Sequence, residues 1–277
     1  MKKMLSLALV LVLMMSLAAC GAKTETPAAT TAPAAAAETT AAAAGTEAPA
    51  AEVKTIEAGK LIMSTNASFP PYEMIADDGS IEGIDVEVAD AIAKKLGLEL
   101  EVDDMDFDAA LLAVQQNKSD IVMAGVTVTD DRKLVMNFTD SYATGVQVVI
   151  VKEGSDVTLD NLGEKMIGTQ RGTTGYIYTS DNYGDDHVTA YDNGASAVQA
   201  LQNGQVDCVV IDAAPAKAYV EANPGLTILD TEYVTENYAI GVNKDNTALL
   251  DAVNGALAEL TADGTLDAII GKYITAE

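Results

Sequence analysis

From Lys54 onward, short apolar runs alternate with segments whose apolar residues recur at helical spacing. The pattern predicts strand, helix, strand, helix, strand over residues 61–124. Leu61–Thr65 is the first strand. Asp85–Leu96 carries Val88, Ile92 and Leu96 on one face, with acids and lysines between them, and Gly97 supplies a stop. Leu98–Val102 alternates apolar and acidic residues as a half-buried strand; Phe107–Gln116 is a second helix and Ile121–Ala124 a buried third strand. A comparable series follows, with strands at Met166–Thr169, Val188–Ala190 and Val206–Ile211 and helices at Thr173–Thr179 and Ala195–Gln202. Two such series favour two α/β lobes over a helical bundle or an all-β sandwich. Between them Tyr142–Val151 is β-prone, as is Tyr238–Val242 later; if both runs cross between lobes, the chain leaves the first lobe, completes the second and returns. Helices at Thr247–Leu260 and Thr265–Tyr273, separated by Gly264, close the chain.

The first fifty residues follow a different logic. Lys2 and Lys3 precede an apolar run from Met4 to Leu17, and small residues lead into Cys20 and Gly21. A charged start, a short apolar core and small residues before a cut make a secretory signal over residues 1–19, too short for a spanning helix. Leu17-Ala18-Ala19-Cys20 resembles the bacterial lipobox, which implies acylation of Cys20 as the first mature residue; an ordinary signal with a chance cysteine is the other reading. Residues 20–53 are Ala, Thr, Pro and Glu with almost nothing large and apolar, so they cannot offset their ordering entropy and are expected to form a disordered tether. The body, residues 54–277, is long enough for two small lobes with ample core.

Charge and rare residues narrow the function. The formal net charge is −26, and loss of the leader with its two lysines makes it −28. So acidic a surface excludes nucleic acid as a partner, because phosphate binding needs a basic face. Of the two cysteines, Cys208 lies in the apolar run Val206–Ile211 and reads as a buried small hydrophobe, leaving no disulfide framework. His187 is the only histidine, so neither a zinc site nor histidine-based catalysis has support, and no cofactor is expected. Asp104, Asp106 and Asp108 alternate like the start of an EF-hand loop, but Ala109 occupies the turn position and Gln115 the bidentate position. They read instead as a polar strand end and a helix cap. Tyr176, Tyr178 and Tyr183 read as exposed tyrosines that need no function.

The candidate chemistry centres on AGVTVTDDR, residues Ala124–Arg132, where an extended segment runs into a helical turn. Gly125 permits close backbone approach, Thr127 offers a hydroxyl and an amide, and Arg132 offers a planar fork of donors suited to a carboxylate. The same residues also make an ordinary helix start, with Thr129 as cap and Asp130 and Asp131 opposing the helix dipole.

Together with STNASFPPYEM (64–74), GIDVEVADAIAKKLG (83–97), MDFDAALLAVQ (105–115), RGTTG (171–175) and YAIGVNKD (238–245), this segment resembles the polar amino-acid-binding proteins of bacterial ABC importers across residues 54–277. The resemblance implies a type II periplasmic-binding-protein-like fold, two α/β lobes joined by two hinge strands, with residues 54–144 and 238–277 in lobe 1 and 145–237 in lobe 2. It implies that Arg132 grips a ligand α-carboxylate, assisted by Thr127 and by Thr174 at a helix start, that the Gly125 carbonyl accepts from the α-ammonium, and that Asp212 pairs with that ammonium. Asp212 alone could equally cap the helix that follows it. Asn66, Phe69, Tyr72, Phe107 and Gln170 are implied to line the side-chain pocket, the two phenylalanines sandwiching the ligand or else serving as core. Asn66 stands where many basic or glutamine-type relatives carry aspartate, and both polar neutral and basic amino acids stay open.

The expected protein is a monomeric, lipid-anchored receptor on the outer face of the bacterial cytoplasmic membrane. It is expected to capture a free amino acid, pass it to permease subunits and catalyse nothing. Two other classes use related folds. A dehydratase would need a further acid, which the sequence reading does not find; a sensory module would be followed by a transmembrane or signalling segment, whereas the chain ends at Glu277.

Overall fold

The structure, a computed structural model, describes residues 53–230 and 233–274. The expected signal sequence, Cys20 and tether lie outside the described residues. In chain order the elements are β1 (Lys60–Thr65), β2 (Ser68–Phe69), β3 (Glu73–Ile75), β4 (Ile81–Glu82), α1 (Ile84–Lys95), β5 (Glu99–Asp104), α2 (Phe107–Gln115), β6 (Ile121–Val122), α3 (Asp130–Val135) and β7 (Met136–Lys152). There follow β8 (Ile167–Gln170), α4 (Thr174–Tyr183), β9 (Val188–Tyr191), α5 (Gly194–Gln202), β10 (Cys208–Asp212), α6 (Ala213–Ala222), β11 (Leu226–Ile228), β12 (Val234–Asn243), α7 (Thr247–Ala262) and α8 (Thr265–Tyr273).

The strands form one continuous path, β5-β1-β6-β12-β7-β10-β8-β9, with β11 beside β7. β1 pairs in parallel with β5 and β6, and β8 pairs in parallel with β9 and β10, which gives each lobe its own parallel sheet. The two sheets are joined by β7 and β12, which pair antiparallel with each other; β12 continues onto β6 and β7 onto β10. These are the two crossovers expected from the β-prone runs, and they form the ribbon on which one lobe can turn against the other.

Burial explains why the helices sit where they do. In α1 the residues Ile84, Val88, Ala89, Ile92 and Ala93 share one buried face, and they pack with Leu61, Met63, Ile121 and the α7 residues Leu249, Val253 and Leu257. Each fully buried large aliphatic side chain contributes roughly 1.5–3 kcal/mol. Gly97, at φ 70°, ends the helix as expected. The second lobe uses the same device, with Ala197, Val198 and Leu201 of α5 against Val209 and Ile211. Cys208 is fully buried beside Val149, Ile167 and Val210.

Several details depart from the sequence pattern. A small antiparallel sheet, β2-β3-β4, was not foreseen, because strands of two or three residues are too short to show a period of two. The third strand pairs only over Ile121–Val122, since the chain turns at Gly125 with φ 55°. The helix expected at Thr173–Thr179 runs Thr174–Tyr183, and β7 begins at Met136, six residues before the expected start. Asp106 stands at the cap position of α2 but its side chain makes no capping bond, while Asp104 accepts from the Ala67 amide at 2.8 Å. Tyr176, Tyr178 and Tyr183 are half-buried rather than exposed.

Candidate functional site

A narrow cleft lies between the lobes, lined by Asn66, Phe69, Glu73, Phe107, Ala124, Gly125, Thr127 and Arg132 on one side and Gln170, Thr173, Thr174 and Asp212 on the other. Nine of the ten residues that the resemblance implies as contacts or pocket lining are therefore in one place. Tyr72 is not among the lining residues. It packs behind Phe69, ring centroids 5.8 Å apart, and edge-on to Tyr238 at 5.2 Å.

Arg132 is aimed by its own helix start. The Thr129 hydroxyl accepts from the Arg132 amide at 3.2 Å, so the cap reading holds for this turn, and the cap leaves the Arg132 side chain among the residues that line the cleft. The guanidinium donates from Nη1 to the Thr127 carbonyl at 2.7 Å and from Nη2 to the Gly172 carbonyl, in the other lobe, at 3.1 Å. It lies 5.3 Å from the centre of the Phe107 ring. Burial pulls its pKa down to about 10, against the opposing charge of Glu236, so it is a full cation at neutral pH. The Thr127 hydroxyl is engaged, donating to Glu236 Oε2 at 3.1 Å.

Asp212 ends β10 and stands at the start of α6, yet its side chain caps nothing. It accepts instead from Gln147 Nε2 at 2.8 Å and from the Tyr238 hydroxyl, and Gln147 Nε2 also donates to Glu236 at 3.0 Å. These partners come from β7 and β12, so the ribbon joining the lobes also holds the acid. Burial first, and then the Glu236 charge, push Asp212 up to about 7, while the bonds from Tyr238 and Gln147 oppose the rise. An acid so poised gains most from a cation brought beside it.

The Gly125 amide donates to Asp85 Oδ2 at 2.9 Å, and the Tyr142 hydroxyl donates to Asp85 Oδ1 at 2.7 Å. Asp85, fully buried in the first turn of α1, thus fixes the turn at Gly125; burial pushes it up to about 6. Gly125 cannot be replaced cheaply, because a Cβ there would sit 2.8 Å from the Phe69 ring in a left-handed backbone. At the α4 start Thr173 caps the Tyr176 amide at 3.3 Å, and buried Thr174 opens the helix toward the cleft. Gln170 Nε2 donates across the cleft to Asn66 Oδ1 at 2.9 Å, and Asn66 Nδ2 donates to the Met105 carbonyl at 2.9 Å. Phe69 and Phe107 line the space rather than the core alone.

Sequence reasoning missed Glu73, Asp85, Gln147 and Glu236. Glu73 is fully buried, lines the cleft and receives no hydrogen bond at either oxygen. Its signal was present as a single acid inside the apolar stretch Phe69–Ile75. The expectation that the cleft holds no further perturbed acid is corrected by it, since burial raises its pKa well above the carboxylate range.

The model for bacterial extracellular solute-binding proteins, family 3, matches residues 61–276. The probable histidine-binding protein of Neisseria gonorrhoeae is 35% identical over 222 residues, covering 78% of this chain and 83% of that protein. A solved ancestral arginine-binding protein bound to glutamine is 40% identical at a TM-score of 0.75, covering 79% of this chain and 99% of that one. The arginine-, lysine-, histidine-binding protein of Geobacillus stearothermophilus is 32% identical at the same TM-score, covering 79% and 96%. These relatives are named as binding proteins, not enzymes. With a family model spanning most of the chain and a cleft that is charged at both ends, the protein belongs to the family 3 bacterial extracellular solute-binding proteins.

Proposed function

We propose that the protein captures a polar L-amino acid by closure of its lobes and delivers it to the permease of an ABC importer. The observation that carries this reading is the placement of Arg132 and Asp212 on opposite walls of one cleft. A zwitterion entering a buried site leaves a charge unsolvated at a cost of several kcal/mol unless a fixed cation and a fixed anion meet it. Arg132 with Thr127 and Thr174 meets the carboxylate; Asp212 and the Gly125 carbonyl meet the ammonium. Asn66, Phe69, Phe107 and Gln170 surround the side chain. Ligand then bridges residues 54–144 and 238–277 on one side and 145–237 on the other, and its higher affinity for the closed arrangement drives closure. No bond in the ligand changes.

The signal over residues 1–19, acylation at Cys20 and a tether to residue 53 would place a monomeric receptor on the outer face of the cytoplasmic membrane. Its relatives are named for binding histidine or arginine, lysine and histidine, and one was solved with glutamine bound, which supports the amino-acid class. Among the described residues no helix is long and apolar enough to cross a membrane. Calorimetric titration of the purified protein with each of the twenty amino acids, ornithine and cystine tests the reading; one ligand per chain is expected, and no heat from any of them would end it.

A further inference from the structure

We infer that Glu236, on the ribbon behind the cleft, is a positioning residue for both ends of the binding site: one carboxylate holds Thr127 at the carboxylate end and, through Gln147, Asp212 at the ammonium end. The inference rests on the amino-acid reading above and adds to it a residue that touches no ligand.

Strand register brings these groups together. Gln147 of β7 stands directly opposite Asp212 of β10 on one side and Val234 of β12 on the other. Side chains alternate faces along a strand, so Val234, Glu236 and Tyr238 share the face on which Gln147 lies, and Glu236 is the diagonal neighbour of Gln147. Gly145 is opposite Glu236, and a Cβ there would collide with the Tyr238 hydroxyl, so this glycine leaves the space through which Tyr238 reaches Asp212. From its place Glu236 accepts at Oε2 from the Thr127 hydroxyl at 3.1 Å and from Gln147 Nε2 at 3.0 Å, and the same nitrogen donates to Asp212 at 2.8 Å. Thr127 and Asp212 line opposite sides of the cleft, whereas Glu236 and Gln147 are buried behind it.

The charge of Glu236 acts on both ends as well. Around it stand Arg132 of α3, Tyr178 of α4, Asp212 of β10 and Tyr238 on its own strand, and Arg132 is the cation among them. Glu236 therefore supports Arg132 as a cation and opposes Asp212 as an anion. The other ionisable groups facing Asp212 are Tyr238, Glu73 of β3, Tyr72 next to it, Tyr178 and Arg132, and a change at Glu236 removes none of them. Asp212 pairs with an ammonium only when ionised, so binding weakens as pH falls through about 7, where burial and Glu236 hold this acid. Without the Glu236 charge Asp212 stays ionised to lower pH, and the weakening moves to lower pH with it. A residue that merely packs would leave that pH where it was.

Isothermal titration of the purified full chain with L-arginine and L-glutamine, and with any other amino acid that gives heat, between pH 5 and pH 8.5 reads both roles. Glu236→Gln keeps an oxygen for Thr127 and Gln147 and removes the charge; Glu236→Ala removes both. At pH 8.5 Glu236→Ala is expected to weaken binding roughly 10-fold or more, the scale of buried donors left unpaired, and Glu236→Gln to recover most of that loss. In Glu236→Gln the pH at which affinity starts to fall is expected to lie roughly one unit below that of wild type, and equally so for each ligand, because Asp212 meets the ammonium that all of them share. An unshifted pH profile, or wild-type affinity in Glu236→Ala, overturns the inference and leaves the amino-acid reading standing. Failure of every amino acid to bind the wild-type chain overturns both. Should the Glu236 variants fold poorly, Thr127→Val and Gln147→Leu, singly and together, decide the matter: a double variant that binds at least roughly 3-fold better than the product of the single effects supports the link through Glu236, and independent effects overturn it.

Discussion

The residue that defines this site is Arg132, and its worth lies in how completely its neighbours fix it. Arg132 is 8% exposed, its guanidinium anchored on the Thr127 and Gly172 carbonyls and laid against Phe107, so the side chain is held in one orientation at the cleft wall. Asp212 is the matching acid, held by Gln147 and Tyr238. Arg132→Ala and Asp212→Ala are each expected to weaken ligand binding by about 3–5 kcal/mol, because each leaves one buried ligand charge unpaired. Calorimetry on the two variants checks this; a variant that binds like wild type would mark its residue as structural. Arg132 was legible in sequence from its place after a threonine-rich strand end, and Asp212, whose place after an apolar strand equally suits a helix cap, was legible through the family resemblance. Gln147 and Glu236 were not, because an amide and an acid on alternating strand positions look like solvent-facing polar residues until the second lobe covers them.

At the scale of elements, side-chain hydrogen bonds among the described residues reach from one lobe to the other. Besides Arg132 to Gly172 and Gln170 to Asn66, the Tyr219 hydroxyl of α6 donates to the Ser68 carbonyl of β2 at 2.6 Å. That bond joins the second lobe to the small sheet carrying Phe69 and Glu73, two residues of the cleft wall. Tyr219→Phe removes it and is expected to cost about 0.5–1.5 kcal/mol of closed state. The measurement is ligand affinity, lower by roughly 2- to 10-fold, together with a larger radius of gyration in solution scattering before ligand is added; unaltered scattering and affinity would remove this contact from the account. The long helices and parallel strands were readable from periodicity, whereas β2, β3 and β4 were not, since their pairing rather than their pattern makes them strands.

For the whole molecule, the acids gathered about the cleft set how stability depends on pH. Asp85 at about 6 and Asp212 at about 7, with Glu73 raised as well, lie above their unfolded values. The folded protein therefore binds these protons more tightly than the unfolded chain, and the stabilisation, fully present below about pH 4, is lost as pH rises through 6 and 7. Carboxylates shifted downward, such as Glu87, Asp156 and Asp263, have finished titrating by pH 5 and do not oppose the trend. Without added amino acid, the melting temperature is expected to fall by roughly 5 °C or more between pH 5.5 and pH 8, and a bound amino acid should raise it more at pH 8; scanning calorimetry at the two pH values reads both, and a melting temperature that rises with pH would contradict the assignment. The sequence by itself determined the two α/β series, the crossing strands and the capped helix start that carries Arg132, because periodicity and helix-start chemistry act over a few neighbouring residues. Only the tertiary structure decided that Glu73 and Asp85 form a buried acid pair at the cleft and that Glu236 and Gln147 support Asp212. Burial and the loss of water depend on what the rest of the chain brings alongside, and no local pattern carries that.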